Sequence, residues 1–428
     1  MQETKPILSG SEAGFMDLGF FGNFPGLKRF FRRVPVSELE QNGAIDPGRY
    51  ILSEVLPSSD PNRLLTKAMT SVNTRRMGVV VKRGRKFQLV NKGVRITNED
   101  FVLVVGGLIA GDGSRWDLYG VFDGVSTRPE DTIKYKPETM EKGFNRGAHA
   151  SMAAAKYIAE YVKNKIRFRS QPERLGEMLK EAFIEASDKL KAYSHDRKLP
   201  QQIRPHTTGT ALLVKRDSRD ASVVIAHCGD SRGYLYSPER SGTVEQVTED
   251  HFEIFEVPTP EGRFTMKRII TGYLGKETEG KPQEKPVVDV HILQPTVKGS
   301  LFVLMTDGAF EPIGRRSESY GSHLNKPRYV DESSRLTRKY ASEVMSEAES
   351  QGRYVDSDEA DKIRRKSEMR AKFNVVEQIQ AEEIKRILSN PPSRTNLQDN
   401  AAYMAAAATQ DTIKGDDCSI ILVNPFVK

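Results

Sequence analysis

Three aspartates stand beside strongly apolar, strand-like runs at widely separated positions in the chain. Asp123 lies in LYGVFDG, Asp307 lies in SLFVLMTDG, and Asp416 comes just before CSIILV. Aspartates at strand ends can converge from distant positions onto one edge of a sheet. Mg²⁺ and Mn²⁺ prefer clusters of hard carboxylate oxygens, and two such ions can generate a nucleophilic hydroxide. The three positions therefore predict a site for divalent cations.

Short runs rich in Val, Ile, Leu and Tyr predict the strands that would position these aspartates. The runs are Gly78–Val81, Phe101–Ile109, Leu118–Phe122, Ala211–Val214, Ser222–His227, Gly233–Tyr236, Leu301–Met305 and Ser419–Val423. Two amphipathic helices, Gly147–Ile166 and Pro172–Tyr193, lie between the third run and the fourth. Since strands and helices are segregated rather than alternating, the pattern favours an α+β layered fold over a doubly wound sheet.

The composition indicates a globular intracellular protein. With 428 residues, the chain predicts one large domain with additions, or two domains. Its two cysteines, Cys228 and Cys418, lie in apolar runs, which excludes a disulfide scaffold and indicates a reducing compartment. The longest apolar run has 11 residues, too short to span a bilayer, so no transmembrane segment is expected. The cytoplasm is the favoured compartment, and organellar import is left open.

Basic residues cluster near Lys28–Arg33 and Arg75–Lys86 in a chain whose formal net charge is +7. A basic surface would favour phosphorylated or nucleic-acid partners. No stacking aromatics or RNA-binding signature accompany these clusters, so a solvated face is the simpler interpretation. We expect no nucleic-acid partner.

The distribution of apolar and charged residues divides the chain into three parts. Residues 1–77 read as an N-terminal extension, and residues 78–425 carry the strand and helix pattern of the main domain. Within that domain, the charge-dense stretch 314–400 has apolar residues at helical spacing and predicts an inserted helical module. The extension and the insertion are the two candidate surfaces for a protein partner.

Eight motifs occur in a fixed order along the main domain. They are GVRITNED (Gly93–Asp100), LYGVFDG, TTGTALLV (Thr207–Val214), VVIAHCGDSRGYLY (Val223–Tyr236), TEDH (Thr248–His251), RIITGYLG (Arg268–Gly275), FVLMTDG and GDDCSIILV (Gly415–Val423). Together they resemble the metal-dependent Ser/Thr protein phosphatases of type 2C, the PPM family. The resemblance implies a four-layer α-β-β-α sandwich of two antiparallel sheets flanked by helices, with a two-metal site at one end.

The resemblance also implies the metal ligands. Asp123 would bridge two ions, Mg²⁺ or Mn²⁺, and the backbone carbonyl of Gly124 would bind one of them. Asp307 and Asp416 would hold the other. A hydroxide shared by the two metals would then attack phosphorus directly, without a phosphoenzyme.

Further roles come from the first motif, R-x-x-N-E-D. Arg95 matches the family's phosphate-binding arginine, whose planar guanidinium can bind two phosphate oxygens at once. Glu99 would orient metal-bound water, and Asp100 would lie close by. In GDSR and TEDH, we assign Asp230 and Arg232 to turn geometry and packing, and we expect Asp250 and His251 at the start of a helix.

The sequence departs from the family pattern at the residue after Asp-Gly. Val125 stands where the family has a histidine that donates a proton to the departing Ser or Thr oxygen. General-acid catalysis is typically worth about 10²–10⁴ in rate, so turnover of alkyl phosphates is expected to be attenuated.

Two further departures concern metal ligands. No carboxylate lies between Asp196 and Asp217, where the family often has an aspartate for a third metal, and His206 occupies that region. Glu311 replaces an aspartate four residues after Asp307, but its longer side chain could still reach a metal or its water.

Two functions follow from these observations. The first is a working but attenuated phosphatase acting on phosphoserine and phosphothreonine in protein substrates. The alternative is a pseudophosphatase that acts as a regulatory or scaffold protein. The retained Asp123, Asp307, Asp416 and Arg95 favour the enzyme, whereas Val125, the missing third-metal acid and the helical insertion favour the scaffold.

Overall fold

The computed structural model describes most of the chain from residue 99 onward. The described residues are 50–52, 77–82, 99–125, 146–216, 222–239, 242–258, 264–277, 284–294, 298–313, 327–389, 397, 400, 401, 404 and 418–426. Of the candidate site residues, Arg95 and Asp416 lie outside this set. Most of the expected N-terminal extension lies outside it as well.

Two sheets and one hairpin contain the strands in the described residues. The first sheet has the order β1 (Tyr50–Leu52), β3 (Asp100–Ile109), β4 (Arg115–Asp123), β5 (Gly209–Arg216), β6 (Val223–Cys228), β11 (Asp289–Leu293). The second has the order β2 (Met77–Lys82), β13 (Cys418–Val423), β12 (Leu301–Met305), β7 (Arg232–Ser237), β8 (Thr243–Gln246). Strands β9 (Phe252–Pro258) and β10 (Phe264–Ile270) form the separate hairpin.

The strand pairings are antiparallel except at one edge, where β1 runs parallel to β3. Strand β1 falls inside residues 1–77, so three residues of the expected extension belong to the first sheet. The boundaries of the extension otherwise stay a prediction.

Five α-helices of the described residues complete the layers. They are α1 (Arg146–Lys165), α2 (Pro172–Asp196), α3 (Asp307–Ile313), α4 (Pro327–Ser350) and α5 (Ser357–Ser389). Helices α1 and α2 bury an alanine- and leucine-rich face on the first sheet, in a cluster that includes Phe183 and Trp116. Between the sheets lies a second cluster with Val121, Phe302 and Ile421. Helices α3 and α5 cover the outer face of the second sheet, which confirms the α-β-β-α arrangement.

Helix α5 belongs both to this sandwich and to the segment 314–400 that we expected to form an insertion. Its last turns place Ile384 and Leu388 in the core of the second sheet, beside Met305. Its middle turns pack against α4 through a smaller cluster containing Tyr340 and Val375. The stretch therefore supplies the outer helical layer of one sheet as well as an added helical hairpin.

Both cysteines are fully buried in strands, as expected of small core residues. Within the described residues, no helix is long and apolar enough to cross a membrane.

The expectation of a helix starting at Asp250 and His251 is wrong. Strand β9 begins at the next residue, Phe252. The Asp250 carboxylate does not cap a helix, because it accepts three hydrogen bonds from the buried Arg232 guanidinium, at 2.9 and 3.1 Å from Nε and 2.7 Å from Nη2.

Arg232 is a charged residue in the core, with 2% of its surface exposed. Besides Asp250, its guanidinium donates to Gln380 and Glu377 of α5, each at 2.8 Å, and it lies 4.1 Å from the ring centroid of Phe310. Burial opposes the charge of Arg232, but Tyr234 and the two carboxylates hold its pKa well above the usual value. A guanidinium can be buried here because its donors meet acceptors.

We predict that Asp250→Ala destabilises the fold by about 3–5 kcal/mol, because it leaves a buried cation without its main partner. Urea unfolding of both proteins measures the loss. The matched control is Glu368→Ala, which removes an exposed carboxylate paired with Lys372 on α5 and should cost less than about 1 kcal/mol. Equal losses in the free energy of unfolding would show that the buried pair stabilises the fold no more than a surface pair does.

Candidate active site

The end of β4 and the start of β3 bring two acidic motifs together. Asp123 lies opposite Asp100 in the antiparallel register, and the Gly124 N–H donates to the Glu99 carbonyl at 3.2 Å. Glu99 and Asp100 are 8% and 1% exposed. The first and second motifs of the sequence are therefore direct neighbours at one end of the first sheet.

Helix α1 begins against these motifs. A Cβ atom built on Gly147 would lie 2.8 Å from Glu99 Oε1 and 2.9 Å from the Gly124 carbonyl oxygen. Ser151, one turn later, donates to the Glu99 backbone carbonyl at 2.6 Å. Only glycine fits at position 147, and the side-chain oxygen of Glu99 and the main-chain oxygen of Gly124 converge on this small space.

A buried hydrogen-bond chain joins the second sheet to this corner. Thr306, at the end of β12, donates from Oγ1 to Asp100 Oδ2 at 2.7 Å. The same Oγ1 accepts the Ser419 N–H at 3.0 Å, and the Thr306 N–H donates to the Ser419 carbonyl at 3.1 Å. Asp307 follows Thr306 directly as the first residue of α3.

The structure therefore brings the ends of β4 and β12 to one corner of the sandwich. Asp123 lies beside Asp100, which is bonded to the residue before Asp307. Glu311 lies one turn after Asp307 in the same helix. Asp416 and Arg95 lie outside the described residues, so their place in the site stays a prediction.

The oxygen donors at this corner fit a hard divalent cation in their chemistry. One oxygen of Glu99 and the carbonyl oxygen of Gly124 both lie against Gly147. Asp123 is the last residue of β4 and Asp307 is the first residue of α3, at the same corner. Among the described residues, no three His, Cys, Asp or Glu side chains lie close enough to hold one ion. The described residues thus supply part of the expected ligand set.

One side of the corner is closed by the loop before β5. The Val125 N–H donates to the His206 carbonyl at 2.9 Å, and Gly124 pairs with Thr207 in an antiparallel bridge. Thr207 Oγ1 also donates to the Asp123 carbonyl at 2.7 Å. Burial, helped by the charges of Arg146 and Arg204, lowers the pKa of His206 to about 4.

The GDSR turn and the TEDH motif are joined by hydrogen bonds next to the start of β5. The Gly229 N–H donates to His251 Nδ1 at 3.2 Å, so the His251 proton is on Nε2, which lies 2.8 Å from Asp289 Oδ2. Ser231 and Thr208 share a hydrogen bond of 2.8 Å between their hydroxyl oxygens. These hydrogen bonds tie the turn after β6 to the segment before β9 and to the start of β5.

Sequence reasoning missed Arg146 and Tyr273, which lie beside this corner. Arg146 is the first residue of α1, and its Nη1 donates to the Gln202 carbonyl. The Tyr273 ring packs on His206 with 5.0 Å between centroids. Tyr273 lies within the RIITGYLG motif, but no local signal gives either residue a place at this corner, because that place depends on how α1 and the loop before β11 pack onto the first sheet.

Comparison with known proteins gives the class of this domain. Residues 90–253 match the family model described as Protein phosphatase 2C. The match includes Arg95, Glu99, Asp100, Asp123 and Gly124 and confirms the resemblance drawn from the motifs. This part of the chain is therefore similar to the protein phosphatase 2C family. A sequence search of curated proteins found no match.

Several solved bacterial phosphatases are similar in structure. The S. agalactiae serine/threonine phosphatase is 14% identical and covers 81% of this chain and 98% of its own, with a TM-score of 0.44. PstP/Ppp of Mycobacterium tuberculosis is 16% identical, with coverages of 82% and 97% and a TM-score of 0.39. Stp1 of Staphylococcus aureus is 14% identical, with coverages of 81% and 94% and a TM-score of 0.41. The α-β-β-α layers described above define the fold of this domain.

We predict that Gly147→Ala weakens Mn²⁺ binding by about 10–100-fold, as changes just outside a metal's ligands commonly do. The new Cβ would displace Glu99 Oε1 and the Gly124 carbonyl. Calorimetric titration with Mn²⁺ measures this. In an unobstructed helix the same substitution would instead stabilise the protein by up to about 1 kcal/mol.

The control for this prediction is Gly106→Ala on β3, where the added Cβ would meet Arg216 and Asp117 at ordinary distances of 3.4 and 3.5 Å. Its Mn²⁺ affinity should equal that of the unmodified protein. A Gly147→Ala variant that binds Mn²⁺ normally would contradict our placement of the metal site.

Proposed function

We propose that this chain hydrolyses phosphoserine and phosphothreonine in protein substrates with the help of two Mg²⁺ or Mn²⁺ ions. Asp123, the Gly124 carbonyl, Asp307 and Asp416 would hold the ions. The observation that carries the proposal is the corner where Glu99 and Gly124 oxygens converge on Gly147, inside a protein phosphatase 2C domain.

The chemistry divides between the ions and the protein. When bound, the ions would lower the pKa of a water molecule and neutralise charge on the phosphoryl group. Glu99 would accept a hydrogen bond from the attacking water and orient it. Arg95 would bind phosphate oxygens and set the direction of attack. Asp100 accepts a hydrogen bond from Thr306, which connects β3 of the first sheet to the end of β12 of the second sheet beneath these groups.

Val125 determines which substrates the site handles well. An alkoxide from serine or threonine is a poor leaving group unless it is protonated, and a valine cannot donate a proton. An aryl phosphate leaves readily without protonation. The expected activity is therefore efficient on aryl phosphates and attenuated on phosphothreonine peptides.

We predict that Asp307→Asn lowers Mn²⁺-dependent hydrolysis of p-nitrophenyl phosphate and of a phosphothreonine peptide by more than about 100-fold. Residues that only support metal ligands already contribute about 10–100-fold, and a direct ligand should contribute more. Steady-state assays with and without Mn²⁺ measure the effect. Asp361→Asn, on the exposed side of α5 next to Arg364, is the control and should retain full activity. Retained activity in Asp307→Asn would mean that the site lies elsewhere.

We predict that Val125→His raises kcat for the phosphothreonine peptide by up to about 100-fold, within the range of general-acid catalysis, and raises the aryl rate far less. The ratio of the two rates in one preparation is the measurement, since it cancels differences in active fraction. Equal changes on both substrates would argue against a missing proton donor.

The alternative function, a pseudophosphatase that binds a partner, is favoured by one structural observation. A cavity of about 870 Å³ lies between β8–β9 and the α4–α5 hairpin, lined by residues that include Phe252, Tyr340, Ile363 and Arg370. Such a cavity suits a partner's side chains rather than the proposed chemistry. Absence of both Mn²⁺ binding and hydrolysis in the unmodified protein would favour this function.

A further inference from the structure

Arg146 lies one residue from the tightest contact of the proposed site. Gly147 packs on Glu99 and Gly124, and adjacent Cα atoms are about 3.8 Å apart, so the Arg146 backbone is fixed at the rim of the same corner. The arginine is therefore held close to the reacting groups by the packing of α1 itself.

The Arg146 side chain contacts the loop before β5. Its Nη1 donates to the carbonyl of Gln202, in the part of the loop that leads to His206. The His206 carbonyl in turn accepts the Val125 N–H at 2.9 Å. The guanidinium is therefore bonded to the same loop that pairs with Val125, the residue that stands in place of the family's proton donor, and its charge acts on His206.

Of the other cations on this side of the site, Arg204 pairs with Glu277 and Lys276 donates to the Thr271 carbonyl, and the imidazole of His206 supplies no positive charge. His206 is buried against Tyr273, with 5.0 Å between ring centroids, and its low pKa keeps it neutral near pH 7. Burial raises the pKa of the Tyr273 hydroxyl, while the charge of Arg146 opposes that rise. Arg146 is close enough to act electrostatically on both rings.

We propose that Arg146 donates a hydrogen bond to the serine or threonine oxygen of the substrate as that oxygen leaves phosphorus. The inference rests on the proposed function. A guanidinium has five N–H donors and stays protonated, so it can stabilise the developing alkoxide without transferring a proton.

The step balances without a protein acid. A water oxygen bonds to phosphorus while the bond from phosphorus to the substrate oxygen breaks, and that oxygen keeps the electron pair. The attacking water releases one proton to solvent, and the departing oxygen takes one proton from solvent. The products are inorganic phosphate and the free hydroxyl side chain.

The experiment is a leaving-group series. Arg146→Met, Arg146→Lys and the unmodified protein are assayed with Mn²⁺ on aryl phosphates of increasing leaving-group pKa and on one phosphothreonine peptide. For Arg146→Met we expect a loss of kcat/KM that grows with leaving-group pKa and reaches about 100-fold on the peptide, as for loss of one donor to a developing oxyanion. Arg146→Lys should recover part of the loss, because it keeps the charge.

Controls separate this effect from damage to the fold. Arg174→Met removes an exposed arginine of α2 that pairs with Glu177, and it should behave as the unmodified protein throughout the series. Thermal unfolding and Mn²⁺ calorimetry are run on each variant. If Arg146→Met does not fold, Arg146→Lys is compared alone, and it should still show a steeper dependence on leaving-group pKa.

A loss that is uniform across the series, or no loss, overturns the role of Arg146 while leaving the proposed function intact. An unmodified protein that hydrolyses no substrate with Mn²⁺ overturns the proposed function and this inference together. The two failures are therefore distinguishable.

Discussion

The site depends on one buried carboxylate and the hydroxyl that satisfies it. Asp100 is almost fully buried, and an ionised group in such a place is costly unless it is hydrogen-bonded. Thr306 meets this need because its hydroxyl donates to Asp100 and accepts the Ser419 N–H. A single side chain therefore links β3 of the first sheet with β12 and β13 of the second. A one-residue slip of either strand would turn these groups to opposite faces.

A second buried charge links the site to the outer helices. Arg232 lies across the ladder from Met305 and under the ring of Phe310 in α3, the helix that begins with Asp307. Its remaining contacts reach Asp250 and, through Glu377, helix α5. Because the same cation contacts Phe310 of α3 and Glu377 of α5, the position of α3 and the docking of α5 are not independent. The long helical stretch is thereby coupled to the corner that carries Asp307.

Part of this structure could be read from the sequence for a simple reason. Strands buried on both faces, such as β6 and β12, are continuous apolar runs, and α1 and α2 have an unambiguous apolar face. Strand β8 alternates exposed and half-buried residues, and β11 is half-buried at four of its five positions, so neither is a fully buried apolar run. These strands are specified by pairing with neighbours distant in sequence.

The same distinction explains the errors at the site. Asp250 reads locally as a helix cap, but its partner Arg232 is 18 residues away and competes for the same oxygens. Gly147 and Arg146 join the site although more than 20 residues separate them from Gly124. Local patterns indicated which strand ends carry the acids, while tertiary packing decided which other residues surround them.

The surroundings of Val125 constrain how the site can treat a departing alkoxide. The His206 backbone carbonyl pairs with Val125, but with a pKa of about 4 only about one His206 imidazole in a thousand carries the extra proton at pH 7. That deficit is as large as the typical gain of about 10²–10⁴ from general-acid catalysis, so His206 cannot replace the missing histidine. A guanidinium has no such deficit, because it stays charged at every physiological pH. The same burial that neutralises His206 also reduces screening by water, which strengthens the field of Arg146 at this edge of the site. Under the proposed function, Arg146 would put a permanent charge in place of a titrating group, which would favour leaving groups that need stabilisation more than protonation.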